Sequence, residues 1–519
     1  MRQIGGKTTA LLILLLPVFG LGGCASVDFD YPKTETVSLS PDETSDTYLA
    51  AAVLDTVGVG PEGQSAFHLM PDGVEALAVR LGGAARAERT IDVMYYLYNS
   101  DLTGLLLLDE LLKAADRGVR VRLLLDDVLT RGYDRGLMAL DTHPNFEIRI
   151  FNPWARRSMR SLNMITDFGR LNRRMHNKAF ILDNQAAVIG GRNIGNEYFA
   201  ADEKVNFGDL DVLALGPIVD EISDMFDLYW NHELAVPVPA VIPPPSSPER
   251  EIGELRQRIA DSLVLVHETR YSAMMTDLLA YAQLSEEDYL WAPYQFIYDS
   301  PDKAKKKNNG EVESILPPMR DVILAAQQEI IVVSPYFVPL KKTIAGFGEM
   351  RERGIETIVI TNSLASNNHA VVHAGYAPSR KPLLRQGVRL YEVRPDAWVP
   401  GVEKSGIARS GGTLHTKAFV VDRRKVFIGT FNWDPRSAYL NTEMGVIFDE
   451  PEVAAELVRR VKAAMPTEAY RLELDERGDI RWHTEIDGEE VVFDKEPETS
   501  SWKRFKVKLF GLLPIKKQL

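Results

Sequence analysis

Apolar residues gather in short unbroken runs rather than alternating ones along much of the chain. Thr90-Ile91-Asp92-Val93-Met94-Tyr95-Tyr96 and Glu329-Ile330-Ile331-Val332-Val333-Ser334-Pro335-Tyr336 are two such runs. A strand with no polar alternation is expected to be covered on both faces. Each run is followed by a stretch with helical character, Thr103 to Arg117 and Lys342 to Arg353. A second β-rich run then begins at a glycine, Gly118-Val119-Arg120-Val121-Arg122-Leu123-Leu124-Leu125 and Gly354-Ile355-Glu356-Thr357-Ile358-Val359-Ile360. Strand, helix, strand predicts βαβ units in doubly wound α/β layers.

The pattern occurs twice at nearly constant distance. Tyr96 to Tyr336 is 240 residues and Gly118 to Gly354 is 236. Two domains of one α/β fold, related by a pseudo-twofold axis, follow from that repeat. Between them the run from Val236 to Pro248 is rich in proline. Proline fixes φ and lacks an N–H donor, so residues 236–251 read as a linker. The first domain is then placed at 65–235 and the second at 252–465, with 466–519 as a C-terminal extension. Lys303 to Gly310 carries four lysines and reads as a solvated loop, with a binding role as the alternative.

The N-terminus changes the picture of where the chain works. Arg2 and Lys7 precede an apolar run from Ala10 to Phe19 that is short for a bilayer span. That run ends in Leu21-Gly22-Gly23-Cys24, similar to a bacterial lipobox, and Cys24 is the sole cysteine of 519 residues. Residues 1–23 are expected to be a lipoprotein signal peptide and Cys24 the lipidated N-terminus. The expected place is the bacterial cell envelope, anchored by lipid and facing the periplasm. Residues 24–64 are rich in Ser, Thr, Asp and Pro and read as a tether.

Composition is that of an ordinary globular protein, and the net charge of -13 argues against nucleic acid as the partner. Two local reversals stand out. Six arginines (156, 157, 160, 170, 173 and 174) face a single acid, Asp167, between residues 156 and 174. They would draw anionic head groups, with Arg173 and Arg174 the nearest candidates, or else form ion pairs with the acidic remainder. Residues 501–519 hold six bases and no acid, with Trp502, Phe505, Leu509, Phe510, Leu512 and Leu513 largely at helical spacing. That segment reads as an amphipathic helix, lying either on an anionic membrane surface or on the protein itself.

The chemistry is carried by a motif that also repeats. Met175-His176-Asn177-Lys178-Ala179-Phe180-Ile181-Leu182-Asp183 leads into Gly190-Gly191-Arg192-Asn193. Leu414-His415-Thr416-Lys417-Ala418-Phe419-Val420-Val421-Asp422 leads into Gly429-Thr430-Phe431-Asn432, with His, Lys, Asp, Gly and Asn all displaced by 239. His and Lys two apart on an extended chain share a face and can reach one substrate. Two imidazoles suit double displacement on a phosphodiester, one as nucleophile and the other as acid and base. Lysines and asparagines (Asn193, Asn432) would stabilise charge on phosphate oxygens, so no cofactor or metal is expected.

These motifs resemble the two HKD motifs of the phospholipase D superfamily. The resemblance implies a bilobal fold of two α/β/α sandwiches, with His176, Lys178, Asp183, His415, Lys417 and Asp422 as catalytic residues. It also implies an acid after each motif that orients a catalytic histidine. Glu443 in Asn441-Thr442-Glu443-Met444-Gly445 fits that place in the second half, and Asp211 is the candidate in the first, with Asp209 as the alternative. Within the superfamily the chain is similar to bacterial cardiolipin synthases. The segments that carry this run from Thr166 to Lys178, Thr361 to Ala365, Val371 to Tyr376 and Asp434 to Gly445. That similarity implies a phosphatidyltransferase with phosphatidylglycerol and a second phospholipid, such as phosphatidylethanolamine, as substrates. Hydrolysis of head groups and non-enzymatic binding of anionic lipid are the competing readings.

Overall fold

A computed structural model of the chain describes residues 27–128, 130, 132–155, 163–164, 166–267, 286–305, 312–398 and 411–512. Cys24, Arg156, Arg157, Arg160, Lys306 and Lys307 therefore lie outside the described residues, as does Leu513.

The first lobe contributes β1 (Gln64–Met70), β2 (Thr90–Tyr95), β3 (Arg120–Asp126), β4 (Phe146–Phe151), β5 (Ala179–Leu182), β6 (Ala186–Gly190), β7 (Val205–Gly208), β8 (Asp211–Leu215) and β9 (Ala235–Pro237). The second contributes β10 (Leu290–Tyr298), β11 (Glu329–Val333), β12 (Glu356–Asn362), β13 (Arg389–Val393), β14 (Gly411–Leu414), β15 (Ala418–Val421), β16 (Lys425–Gly429) and β17 (Met444–Asp449). Beyond it lie β18 (Ala469–Leu474), β19 (Ile480–Ile486) and β20 (Glu489–Phe493).

Pairing gives the first lobe the order β9-β4-β3-β2-β5-β6-β8-β1. The second has β10-β17-β16-β15-β11-β12-β13-β18-β19-β20. The strands that open the repeat, β2-β3-β4 and β11-β12-β13, run parallel, as βαβ units require. β2 is buried at every residue, which is why it shows no alternation. The expected helices appear at Leu102–Asp116 and Lys341–Glu352.

Where the halves meet, β1 pairs antiparallel with β10, Gln64 opposite Pro293 and Phe67 opposite Leu290, so one sheet runs through both lobes. A buried apolar cluster follows it across, from Met94, Ile181 and Trp230 in the first lobe to Ile331, Val446 and Phe448 in the second. A second seam crosses closer to the motifs, where β7 and β14 pair in parallel, Gly208 opposite Leu414.

Three expected boundaries move. The stretch read as a tether is docked from Lys33 onward. The Lys33 ammonium donates to the carbonyls of His232 (2.5 Å) and Ala235 (2.9 Å). Arg122 and Asn231 donate to the Thr36 carbonyl, and Ser38 donates to the Asp227 carboxylate. A helix follows at Tyr48–Val57. The segment is polar because its partners are buried charges: Arg122 is clamped by Asp92 on the neighbouring strand at 2.6 Å. Next, the linker ends early, in a helix at Pro248–His267 whose Leu255 and Ile259 enter the first-lobe core. Arg135 and Asp116 of the first lobe pair with its Glu251 and Arg256. Finally, β18 to β20 extend the second-lobe sheet, so residues 469–493 belong to that lobe. The loop of lysines is likewise built in at its start: Lys303 is buried, 2.7 Å from Asp299 and 2.8 Å from the Ser437 carbonyl.

Candidate active site

Each motif begins just before a central strand, β5 or β15, and its histidine is fastened to the opposite lobe. The His176 amide donates to the Thr442 carbonyl at 3.0 Å, and the Thr442 amide donates back to Arg174 at 2.9 Å. In the other half, the amides of His415 and Thr416 donate to the Gly208 carbonyl at 2.8 and 3.1 Å. The middle residue of each His-x-Lys points away from its neighbours and stitches the same seam. Thr442 donates its hydroxyl to Asn177 at 2.7 Å, and Thr416 donates its own to Gly208 at 3.2 Å.

That seam crosses the carboxylates over. Glu443 of the second half lies 2.8 Å from Nδ1 of His176, while Asp209 of the first half lies 2.5 Å from Nδ1 of His415. Asp211, the expected first-half acid, stands elsewhere. It is buried against Arg80 at 2.7 Å, with Arg192 at 3.6 Å. The reason is where β8 begins: Asp211 opens the strand, whereas Asp209 lies in the short link between β7 and β8, beside Gly208, at the crossover with His415. Gly191 makes the room: a Cβ there would collide with the Asp209 carboxylate. Its counterpart 239 residues on is Thr430, which instead donates its hydroxyl to Glu443 at 2.5 Å.

With Nδ1 of both rings facing a carboxylate, Nε2 of each is the nitrogen left for chemistry. Lys178 and Lys417 both fold back to the carbonyl of their own histidine, Lys178 at 2.7 Å. The Lys417 ammonium also lies 3.2 Å from Nε2 of His415. Aromatic walls hold the imidazoles: Tyr96 stands edge-on to His176 at 4.9 Å, and Phe207 stacks on His415 at 5.2 Å. Tyr198 and Tyr336 stand edge-on to His415. From the sequence these four rings, Thr430, Asn177 and Thr416 take no role at the site, although Tyr96 and Tyr336 mark the repeat and the three polar residues lie within the motif segments. Tyr198 and Phe207 lie outside those segments. The nearly equal spacing of Tyr96 and Tyr336, 240 residues against 239 for the histidines, is the available signal for two of the rings.

Burial governs the protons. It pushes His176 down to about 4 and His415 to about 3, in each case against the pull of the carboxylate. It pushes Lys178 to about 7 and Lys417 to about 8. Glu443 and Asp209 are held below their ordinary values by the facing histidines and lysines, although burial opposes this.

The remaining expected residues separate into two groups. Asn193 and Asn432 are buried and each keeps an amide oxygen without a partner; Asn193 donates to the Tyr198 hydroxyl at 2.9 Å. The others leave the site. Asp183 lies at the far end of β5, seven residues or about 20 Å from His176. There it accepts from the amides of Glu88, Arg89 and Thr90 at 2.8 to 2.9 Å. Asp422 does the same for Gln327, Gln328 and Glu329. Both sit at positive φ, 48° and 54°, in the turn that returns the chain into the next strand. They brace the lobe rather than touch the histidines. Arg174 is buried in a pair with Asp126 (3.3 Å) beneath Trp154, and Arg173 donates across the seam to the carbonyls of Lys303 and Tyr439. Arg170 pairs with Asp167 at 2.6 Å. Arg170 and Arg174 thus bind carboxylate and carbonyl groups within the first lobe and Arg173 binds carbonyls across the seam, while one buried Arg174 nitrogen, Nη2, has no hydrogen-bond partner among the described residues.

Fold and site define a phospholipase D superfamily enzyme. The family model described as "Cardiolipin synthase, PLD-like domain" matches residues 84–230 and again 319–465. Cardiolipin synthase C of Escherichia coli K12 is 40% identical over 475 residues, covering 90% of this chain and 98% of that protein. An uncharacterized Helicobacter pylori protein is 32% identical, with 93% of each chain covered. The crystal structure of phosphatidylserine synthase from Haemophilus influenzae superposes with a TM-score of 0.56 at 14% identity, over 91% of this chain and all of that one. The chain belongs to the phospholipase D-like family of cardiolipin synthases.

Proposed function

We propose that the protein makes cardiolipin by transferring a phosphatidyl group to the glycerol head of phosphatidylglycerol. The observation that carries this is the crossed site: two buried imidazoles, each fixed by the other lobe's carboxylate, with an ammonium group beside each. Nε2 of His176 attacks the phosphorus of the donor phospholipid. The bond to the head-group alcohol breaks, and Nε2–H of His415 protonates the departing oxygen. A hydroxyl of phosphatidylglycerol then gives its proton back to His415, attacks phosphorus and releases His176. Lys178 and Lys417 stabilise the charge that collects on the phosphoryl oxygens. Both imidazoles are neutral at pH 7 in the empty site, as a nucleophile requires. The phosphodiester's negative charge supplies the field that lets His415 take up its proton.

The family resemblance supports His176 as nucleophile, and the signal-like N-terminus supports lipidation at Cys24 and a periplasmic site of action. The test incubates the purified protein with phosphatidylglycerol vesicles, with and without phosphatidylethanolamine, and identifies the lipids by mass spectrometry. Cardiolipin is expected from the wild type and lost in His176→Ala and His415→Ala. Phosphatidic acid in its place would mean a hydrolase.

A further inference from the structure

The C-terminal helix, Ser501–Phe510, has two apolar faces, and the structure fills only one of them. Val507 is buried and Phe510 half-buried against Leu364 and against Ala370 and Ala374 of the helix Ala370–Tyr376. Around the remaining circumference Trp502 is 61% exposed, Phe505 54%, Leu509 53% and, just beyond the helix, Leu512 80%. At ~100° per residue these four fall within an arc of roughly 80°. Lys506 and Lys508 fall immediately outside that arc, one on either side. Trp502 and Phe505 stack at 5.5 Å, and the Lys506 ammonium lies 5.2 Å from the Trp502 ring.

The helix is tied closely to the second motif. Lys503 donates to the Ala365 carbonyl at 3.2 Å, and the neighbouring Ser366 carbonyl accepts from Thr413, two residues before His415. Glu496, just ahead of the helix, is held by Arg380 at 2.7 Å. Tyr336, edge-on to His415, donates to Asn368 at the start of the supporting helix.

We propose that this exposed stripe is a docking surface for an anionic lipid bilayer, placing the His415 side of the site at the membrane surface. Charge complementarity selects that occupant. Residues 501–519 carry six bases and no acid, whereas the rest of the chain has 54 bases against 73 acids. A second copy of so acidic a protein would bring its own basic stripe against this one, while a bilayer rich in anionic lipid matches both the apolar arc and the flanking lysines. The inference extends the transferase reading and rests on it only for the need to bring lipid to the site.

The test uses the full chain with Cys24→Ser and Phe505→Cys, which leaves one thiol for an environment-sensitive nitrobenzoxadiazole label. Equimolar phosphatidylglycerol and phosphatidylcholine vesicles should raise and blue-shift the emission, and phosphatidylcholine alone should not. Lys506→Glu with Lys508→Glu should abolish the response. In the otherwise native chain, Trp502→Ser, Phe505→Ser and Leu509→Ser together should cut turnover on vesicles roughly tenfold or more, while turnover on short-chain phosphatidylglycerol below its micellar concentration stays unchanged. No response to either vesicle would overturn the proposal, as would an equal response to both. So would a shift that follows protein concentration without lipid, which would assign the stripe to a second copy. None of the fluorescence outcomes depends on catalysis, so a failed transferase reading would show separately.

Discussion

Asp209 and Asp211 stand two residues apart and should fail in different ways when neutralised. Asp209→Asn leaves the packing intact but turns an acceptor for the His415 ring into an amide. A loss of at least about 100-fold in kcat is expected, with a smaller drop in melting temperature than Asp211→Asn gives, since among the described residues Asp209 makes no arginine ion pair. Asp211→Asn leaves Arg80 and Arg192 buried without their counter-charge, and about 3 kcal/mol or more of stability should go. Thermal unfolding beside a transfer assay separates the two. The lysines make a second prediction. With Lys178 near 7 and Lys417 near 8 in the free site, kcat/KM should fall as pH rises through that window, because each loses the positive charge that steadies the phosphoryl oxygens. Lys417→Arg, charged throughout, should move that limb upward, and a profile flat to pH 9 would refute the assignment. On stability the same groups act in the opposite sense. The unfolded chain keeps these protons to about 10.5, so their contribution to stability rises with pH above about 7.

The motif strands show what can and cannot be read from an amino-acid sequence. β2, β3 and β12 were legible within a residue or two and β11 within three, because continuous apolar runs, two of them opened by a glycine, leave few alternatives. His176 and His415 were legible because a rare pattern repeated at one interval. Which acid faces which ring was not. Asp209 and Glu443 are 234 apart rather than 239, and the contact depends on chain crossing between lobes, which spacing within one half does not encode. The docking of Lys33 to Ser38 was hidden for a related reason: its polar residues answer buried charges on Arg122 and Asp227, far away in the chain. Asp183 and Asp422 looked catalytic because the motif includes them, yet they brace the turns. Gly191 provides the test at this scale. Gly191→Ala should push the Asp209 carboxylate off His415 and depress activity as Asp209→Asn does. At its counterpart, Thr430→Ala should remove the hydrogen bond to Glu443 and the one accepted from the Met444 amide, yet leave Glu443 in place and cost less.

The molecule as a whole is joined by β1 against β10, by β7 against β14 and by an apolar cluster that ignores the boundary between lobes. Separate domains on a proline linker would melt independently. This arrangement should melt once, and calorimetry should return a van't Hoff enthalpy equal to the calorimetric one. Two resolved transitions would show that the seams are weaker than their pairing suggests. The crossed carboxylates carry a consequence for how such a chain can change over time. Neither half owns a complete histidine, so a substitution near Glu443 is felt first at His176, in the half where nothing changed. Drift in one repeat is therefore answerable to the other, and the pair behaves in inheritance as a partnership with joint liability rather than as two copies free to diverge.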